Sequence, residues 1–312
     1  AKVINDEYSI SVIIPAFRES AEDINRTLAI AKHRCSRPQS IQIIIAHAGG
    51  CADLHQVMQA ERDGNRLSVS DDGTTIPNWG DLQLIRHSTG GGRGRCMNTG
   101  ATHARGRVIT FFHADTIPPR NWDSSILSAL GFANNNNNNN SSSSSSIKEV
   151  SPSHPRPTCC AFLQDIDASD HALKGGGCPP GIIPVSEILC YLRCRLCKLP
   201  YGDSLLSFPA NIFHFLGGFP DQPLMEDFEI ISQLRIRSLL LNERIVIIPG
   251  RACCSVRRWQ KFGVPYTILV NALCVHRYIT GTTADELFQF YYGRNQDGKQ
   301  QKQQQQQMKK TD

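Results

Sequence analysis

The first half of the chain alternates short apolar runs with segments of helical periodicity, and that order constrains the fold more than any other feature. Such alternation is the signature of a largely parallel sheet covered by helices. "YSISVIIP" reads as the first strand, stopped by Pro15. "AEDINRTLAIAKH" follows with Ile24, Leu28 and Ala31 at helical spacing. "IQIIIAH" is a second buried strand, closed by the turn "AGG". "LQLIRH" and "GRVITFFH" supply two more, with a helix expected from about Arg95 to Ala104 between them.

Further on, "TCCAFLQDID" reads as a strand and Pro184–Cys197 as a helix. A turn at "LGGFPD" leads to a helix starting near Met225. "ERIVIIPG" and "ACCSVRRW" are strand-like, and amphipathic helices over 264–279 and 284–292 close the fold. Residues 63–81 are polar and turn-rich, and 133–157 hold an Asn run, a Ser run and prolines. Tracts of this kind cannot offset their ordering entropy by burial, so both read as inserted loops. The Gln- and Lys-rich tail, 295–312, has the same character. One domain over 8–294 is therefore expected.

With 312 residues, 40% of them hydrophobic and 20% charged, the chain is large enough for a substantial core. A net charge of +5 suits a phosphorylated ligand or an anionic membrane surface, and nucleic acid is not an expected partner. No apolar run reaches the roughly 18 residues of a spanning helix. A cytoplasmic location is expected, with the 264–279 helix open to peripheral membrane contact. The start at Ala1 rather than Met leaves room for a cleaved targeting segment. Twelve cysteines do not make a zinc site, because no pair of C-x-x-C motifs occurs. Cys190, Cys194 and Cys197 fall on one stripe of a helix and read as buried thiols, so a reducing compartment fits.

If the sheet is parallel, ligands gather beyond the carboxyl ends of its strands. Those ends carry "PAFRE", "HAGGCAD", "STGGGRGR" and "HADT". "GGGRGR" is neither a Walker A loop nor a complete G-x-G-x-x-G. It does set Arg93 and Arg95 before a helix, which suits a diphosphate as readily as a surface turn with solvated arginines. Asp115, directly after "VITFF", can hold a hard divalent cation, and His113 can ligate or hydrogen-bond a ribose; simple strand-end solvation is the competing account. Glu226 and Asp227 open a helix, as dipole partners or as a general base. Arg257, Arg258 and Trp259 suit an anion clamp with a stacking surface, or in the case of Trp259 ordinary core.

Taken in order, "SVIIPAFRE", "GRGRCMNTGATHARG", "FFHADTIPP", "YGDSLLS", "LGGFPDQPLMEDFEI" and "SVRRWQKFGV" resemble the family 2 glycosyltransferases of GT-A fold, and more narrowly a bacterial-type subgroup. The resemblance spans roughly residues 9 to 292. It implies an inverting transferase that moves a sugar from a nucleotide-sugar donor to an acceptor hydroxyl, on a saccharide or a lipid-linked acceptor. HADT would stand where most relatives carry D-x-D, making Asp115 the principal ligand of Mg2+ or Mn2+, with His113 beside it. Pro15, Phe17 and Glu19 would line the nucleotide pocket, with Arg93, Arg95 and Asn98 near the diphosphate or its sugar. Asp227 matches the catalytic base, with Glu226 adjacent; Asp203, Arg257, Arg258 and Trp259 match the acceptor side. One departure stands out: aligning the glycines of "HAGGCAD" puts Ala48 where relatives carry a base-contacting Asp, and Cys51 at a Ser, leaving Asp53. "GDS" at 202–204 also replaces the usual "GDQ". Two other readings follow from these changes, a nucleotide-sugar-binding relative without activity and a nucleotidyltransferase. The second would need a Gly-rich first loop, which is absent after Pro15.

Overall fold

A computed structural model describes residues 7–16, 19–47, 78–87, 92–132, 155–166, 183–254 and 263–293. Strands β1 (Tyr8–Ala16), β2 (Ile41–His47), β3 (Asp81–Arg86), β4 (Gly106–Phe111), β5 (Arg156–Ile166), β6 (Ser207–Pro209) and β7 (Glu243–Cys254) form one sheet in the order β3-β2-β1-β4-β6-β5-β7. β3, β2, β1 and β4 are parallel, β5 pairs parallel with β7, and β6 is antiparallel to both β4 and β5. Six strands thus end on one edge. The reversed strand begins there, since Ser207 pairs with Thr110 at the end of β4.

Burial of both sheet faces explains the apolar runs. Along β1 and β2, Ile13 and Ile44 enter one core cluster, whereas Val12, Ile14, Ile43 and Ile45 enter the other. This is the two-residue alternation of a strand covered on both sides. Helices α1 (Ala21–His33), α2 (Arg93–Ala101), α3 (Trp122–Ala129), α4 (Ile183–Leu196), α5 (Ala210–Phe215), α6 (Glu226–Leu240), α7 (Val264–Ile279) and α8 (Ala284–Phe288) supply the layers. In α1, Ile24, Leu28 and Ala31 are buried as the spacing predicts, and Ser20 caps the first turn by accepting the Asp23 amide at 3.1 Å. Among the described residues, no helix is long and apolar enough to cross a membrane.

Several boundaries differ from expectation for local reasons. Pro15 does not stop β1, which runs on to Ala16 with Pro15 opposite Ala46. Beyond Ile13 the strand pairs only with β2, so the missing amide proton faces no partner strand. "ERIVIIPG" and "ACCSVRRW" are not two strands: β7 continues through Pro249 and Gly250, where a register shift against β5 absorbs them. α2 starts two residues early, at Arg93, and α8 gives way to a π-helical turn over Gln289–Gly293. Of the cysteine stripe only Cys194 is buried; Cys190 is half-buried and Cys197 exposed, because α4 presents Leu192 and Leu196 outward as well. None of the described cysteines is in a disulfide.

Candidate functional site

The segment "FFHADT" shows how the sheet delivers polar groups to its edge. Phe111 and Phe112 are each 1% exposed and end the strand in opposite cores. The Phe111 ring meets Phe219 at 4.8 Å and Phe213 at 5.1 Å, pinning the strand end to the "LGGFPD" turn. The chain then turns, with the Thr116 amide donating to the His113 carbonyl at 3.1 Å, and the Thr27 hydroxyl holds the Ala114 carbonyl. Ile117 exchanges two backbone hydrogen bonds with Cys253, at 2.8 and 2.9 Å, which ties this turn to the end of β7. Asp115 is left exposed at the rim.

Inside that rim lies a cavity of about 470 Å3, within the usual range for a ligand pocket. Asp115, His113, Arg93, Asp203, Glu226 and Asp227 all line it. They come from the turn after β4, α2, the 3-10 turn Gly202–Ser204 and α6, so the fold gathers them from four separate stretches of sequence.

Arg93 is the hub. Its Nε donates to Glu226 Oε1 at 2.6 Å, and its terminal nitrogens lie 3.4 Å from His113 Nε2 and 3.4 Å from Asp227 Oδ2. Burial works against the guanidinium charge, yet Glu226 and Asp227 outweigh it and hold the Arg93 pKa above its ordinary value. Burial pushes the Glu226 carboxyl up, against the pull of Arg93. Two glycines let α2 approach this closely: a Cβ on Gly92 would sit 2.7 Å from the Gln222 carbonyl, and one on Gly94 would sit 3.3 Å from the Glu226 side chain.

Asp227 is fixed from both sides. Oδ2 accepts the Gly202 amide at 2.8 Å, and Oδ1 accepts the Phe228 amide at 2.8 Å in the first turn of α6. That helix is capped by Met225, a non-glycine residue held at φ 68° immediately before the two carboxylates. Backbone in this left-handed region costs about 1–3 kcal/mol and persists where surrounding packing dictates it.

Deeper in the cavity, Asp203 Oδ2 accepts from Gln164 Nε2 at 2.5 Å, and Arg193 lies 3.6 Å over the Tyr201 ring. Burial raises the Asp203 pKa, opposed by Arg193 and assisted by Asp227. A carboxyl with a raised folded pKa contributes stability that is complete below its unfolded value, near 3.8, and is lost as pH rises through the folded value. Asp203→Asn removes that dependence. Its stability relative to wild type is therefore expected to improve from pH 3 to pH 7, as followed by urea unfolding across that range; a constant difference would rule out the burial argument.

Other expected residues stand elsewhere. Asn98 does not line the cavity, since its amide clamps Phe219 through both backbone groups, at 2.8 and 2.9 Å. Gly218 makes room for that clamp, at φ 79° and with its Cβ direction 2.6 Å from Asn98 Oδ1. Arg95 is exposed and paired with Asp221. Pro15 and Glu19 stand near the end of β1, outside the cavity lining. Phe17, Ala48, Cys51, Asp53, Arg257, Arg258 and Trp259 lie outside the described residues. Sequence reasoning missed Gln164, Arg193, Tyr201 and the Gly202 amide; the one available signal was a polar Gln interrupting the apolar run "CCAFLQDID".

The family model "Glycosyl transferase family 2" matches residues 11–138. No curated protein matches the chain. Among solved structures, the mannosyltransferase PcManGT from Pyrobaculum calidifontis, in complex with GDP-Man and Mn2+, is similar at 14% identity and a TM-score of 0.51, over 92% of this chain and 69% of that one. S. aureus TarS 1-349, in complex with UDP-GlcNAc, matches at 13% identity and a TM-score of 0.46, over 79% of this chain and 58% of that one. GalNAc-T7, with UDP, GalNAc and Mn2+, matches at 14% identity and 0.47, over 80% and 44% respectively. The first of these likenesses establishes a shared fold, a helix-covered α/β sheet of GT-A type. Residues 11–138 thus match the family 2 glycosyl transferase model, within a GT-A-type fold that continues beyond them.

Proposed function

We propose that the chain transfers a sugar from a nucleotide-sugar donor to an acceptor hydroxyl in a single displacement with inversion, residues 8–294 acting as one catalytic unit. The observation that carries this reading is Asp227, fixed by two backbone amides on the cavity wall and 3.4 Å from Arg93. A carboxylate held so firmly within a cavity is suited to general-base work. Asp227 takes the proton of the acceptor hydroxyl. The acceptor oxygen bonds to the anomeric carbon as the bond from that carbon to the diphosphate oxygen breaks, and the nucleoside diphosphate leaves with the electron pair. The Arg93 guanidinium, kept in place by Glu226, faces the charge that builds on the leaving group. Glu226 is in this reading a positioning residue, not a second base.

The PcManGT complex contains Mn2+. Among the described residues, no group of three or more His, Cys, Asp or Glu side chains is placed to hold a metal. A site with one protein carboxylate fits Mg2+ or Mn2+ completed by substrate phosphates, which is how such ions are commonly bound. Asp115 at the rim would hold it, with His113 beside it, and the ion would neutralise the donor diphosphate. The test is calorimetric binding of a panel of nucleoside diphosphates and nucleotide sugars, with and without Mn2+. Wild type is expected to bind one nucleotide in a metal-dependent way, and Asp115→Ala to weaken that binding about a hundredfold or more. Binding to none of the panel would sink the transferase reading.

A further inference from the structure

The last turns of α6 leave large apolar side chains in water. Leu239 is 85% exposed, Leu240 77% and Ile236 57%, at the i, i+3 and i+4 spacing of one helix face. Leu241 follows them, also exposed. Phe215, 70% exposed at the end of α5, joins the same surface, with the Arg237 guanidinium 5.1 Å over its ring. Single exposed apolar residues are ordinary, but a contiguous group marks an interaction surface. α6 starts at the cavity with Glu226 and rises about 1.5 Å per residue, so this group stands roughly 20 Å from the cavity wall. It lies by the edge where β5 and β7 begin, since Arg237 and Arg156 meet there at Glu243.

The charge around it is one-sided. From Ile230 to Asn242 the chain carries no acidic residue. Glu243 is buried and accepts from Arg237, at 2.7 and 2.9 Å, and from Arg156, at 2.9 Å, so two cations share one anion. Arg235, one turn before Leu239, and exposed Arg244 form no ion pair among the described residues.

We propose that this surface docks on an anionic lipid bilayer, the leucines and Phe215 entering the headgroup boundary while Arg235 and Arg244 face lipid phosphates. Three observations select that occupant. At such exposure Leu239 and Leu240 project instead of lining a groove, and a fluid apolar layer receives them without a matching pocket. The arginines beside them complement an anionic headgroup layer. A second copy of the chain docking through the same surface would set arginine against arginine. Helix α7 also exposes Tyr266, Leu269 and Ile279, but about three turns separate the last two, so it presents no comparable group. Docking at the end of α6 leaves the cavity clear of the bilayer, and the inference does not depend on the sugar-transfer reading.

The test floats the full chain with vesicles of phosphatidylcholine, alone or with about a third of phosphatidylserine. Wild type is expected to bind the phosphatidylserine vesicles about tenfold or more tightly than phosphatidylcholine alone, and to weaken as salt is raised. Leu239→Ser with Leu240→Ser should lower that binding about tenfold or more, with the urea midpoint of unfolding unchanged because both positions are exposed. Arg235→Gln with Arg244→Gln should lower it several-fold and erase most of the preference for the anionic lipid. Sedimentation velocity is run on the same samples. A monomer that binds neither vesicle overturns the inference, and so does equal binding to both. A dimer that the two serine substitutions dissociate, without vesicle binding, overturns it by giving the surface to a second copy. Wild-type vesicle binding in both variants overturns it by placing the membrane contact elsewhere.

Discussion

Replacing Asp227 by Asn is expected to lower turnover by about 10³, the effect of removing a positioned base. Donor binding should survive, because Asp115, the proposed metal ligand, and the Arg93–Glu226 pair are untouched. The substitution is nearly isosteric but not silent for stability. Both Asp227 oxygens accept backbone amides, from Gly202 and Phe228, so the new amide nitrogen must oppose one donor. A loss of about 1 kcal/mol is expected from that conflict. Stopped assays of transfer at saturating donor, beside calorimetric donor titration, separate the two effects. Turnover within tenfold of wild type would remove Asp227 from the role of base.

The second large effect concerns Glu226. Its side chain is 4% exposed and its carboxylate receives Arg93 Nε at 2.6 Å. Glu226→Ala leaves that guanidinium without its anchor. Removing one member of a buried pair costs about 3–5 kcal/mol. Arg93 is 39% exposed here, so solvent screens the abandoned charge and about 1–3 kcal/mol is the better expectation. Turnover should also fall about tenfold or more, since Arg93 would no longer be held beside Asp227. Denaturant unfolding reads the first quantity and initial rates the second. Glu226→Gln, which keeps an oxygen for Arg93 Nε, should recover much of both; if it behaves like Glu226→Ala, the positioning role is wrong.

These two carboxylates also mark the limit of what sequence can express. Periodicity and apolar runs located the strands and most helices, because those depend on neighbours a few residues apart. It could not express that Pro15 lies where β1 has lost one neighbour, since that depends on where β4 ends. Nor could it tell which arginine of "GRGR" turns inward. Arg93 joins the cavity and Arg95 pairs with exposed Asp221, a distinction made by helix α6 far along the chain. Asn98 has a structural task that its place in a motif does not announce, since both ends of its amide hold the Phe219 backbone. Gln164 went unseen because a single polar residue in a buried strand has no local signature.

The pairing of Arg93 with Glu226 and Asp227 joins residues 133 and 134 positions apart. Contacts of such separation are made late or slowly in folding, because the loop entropy is lost before the contact rewards it. Regain of catalysis after denaturation is therefore a stringent clock for the whole molecule. It should trail the return of helical signal, which local segments can restore alone.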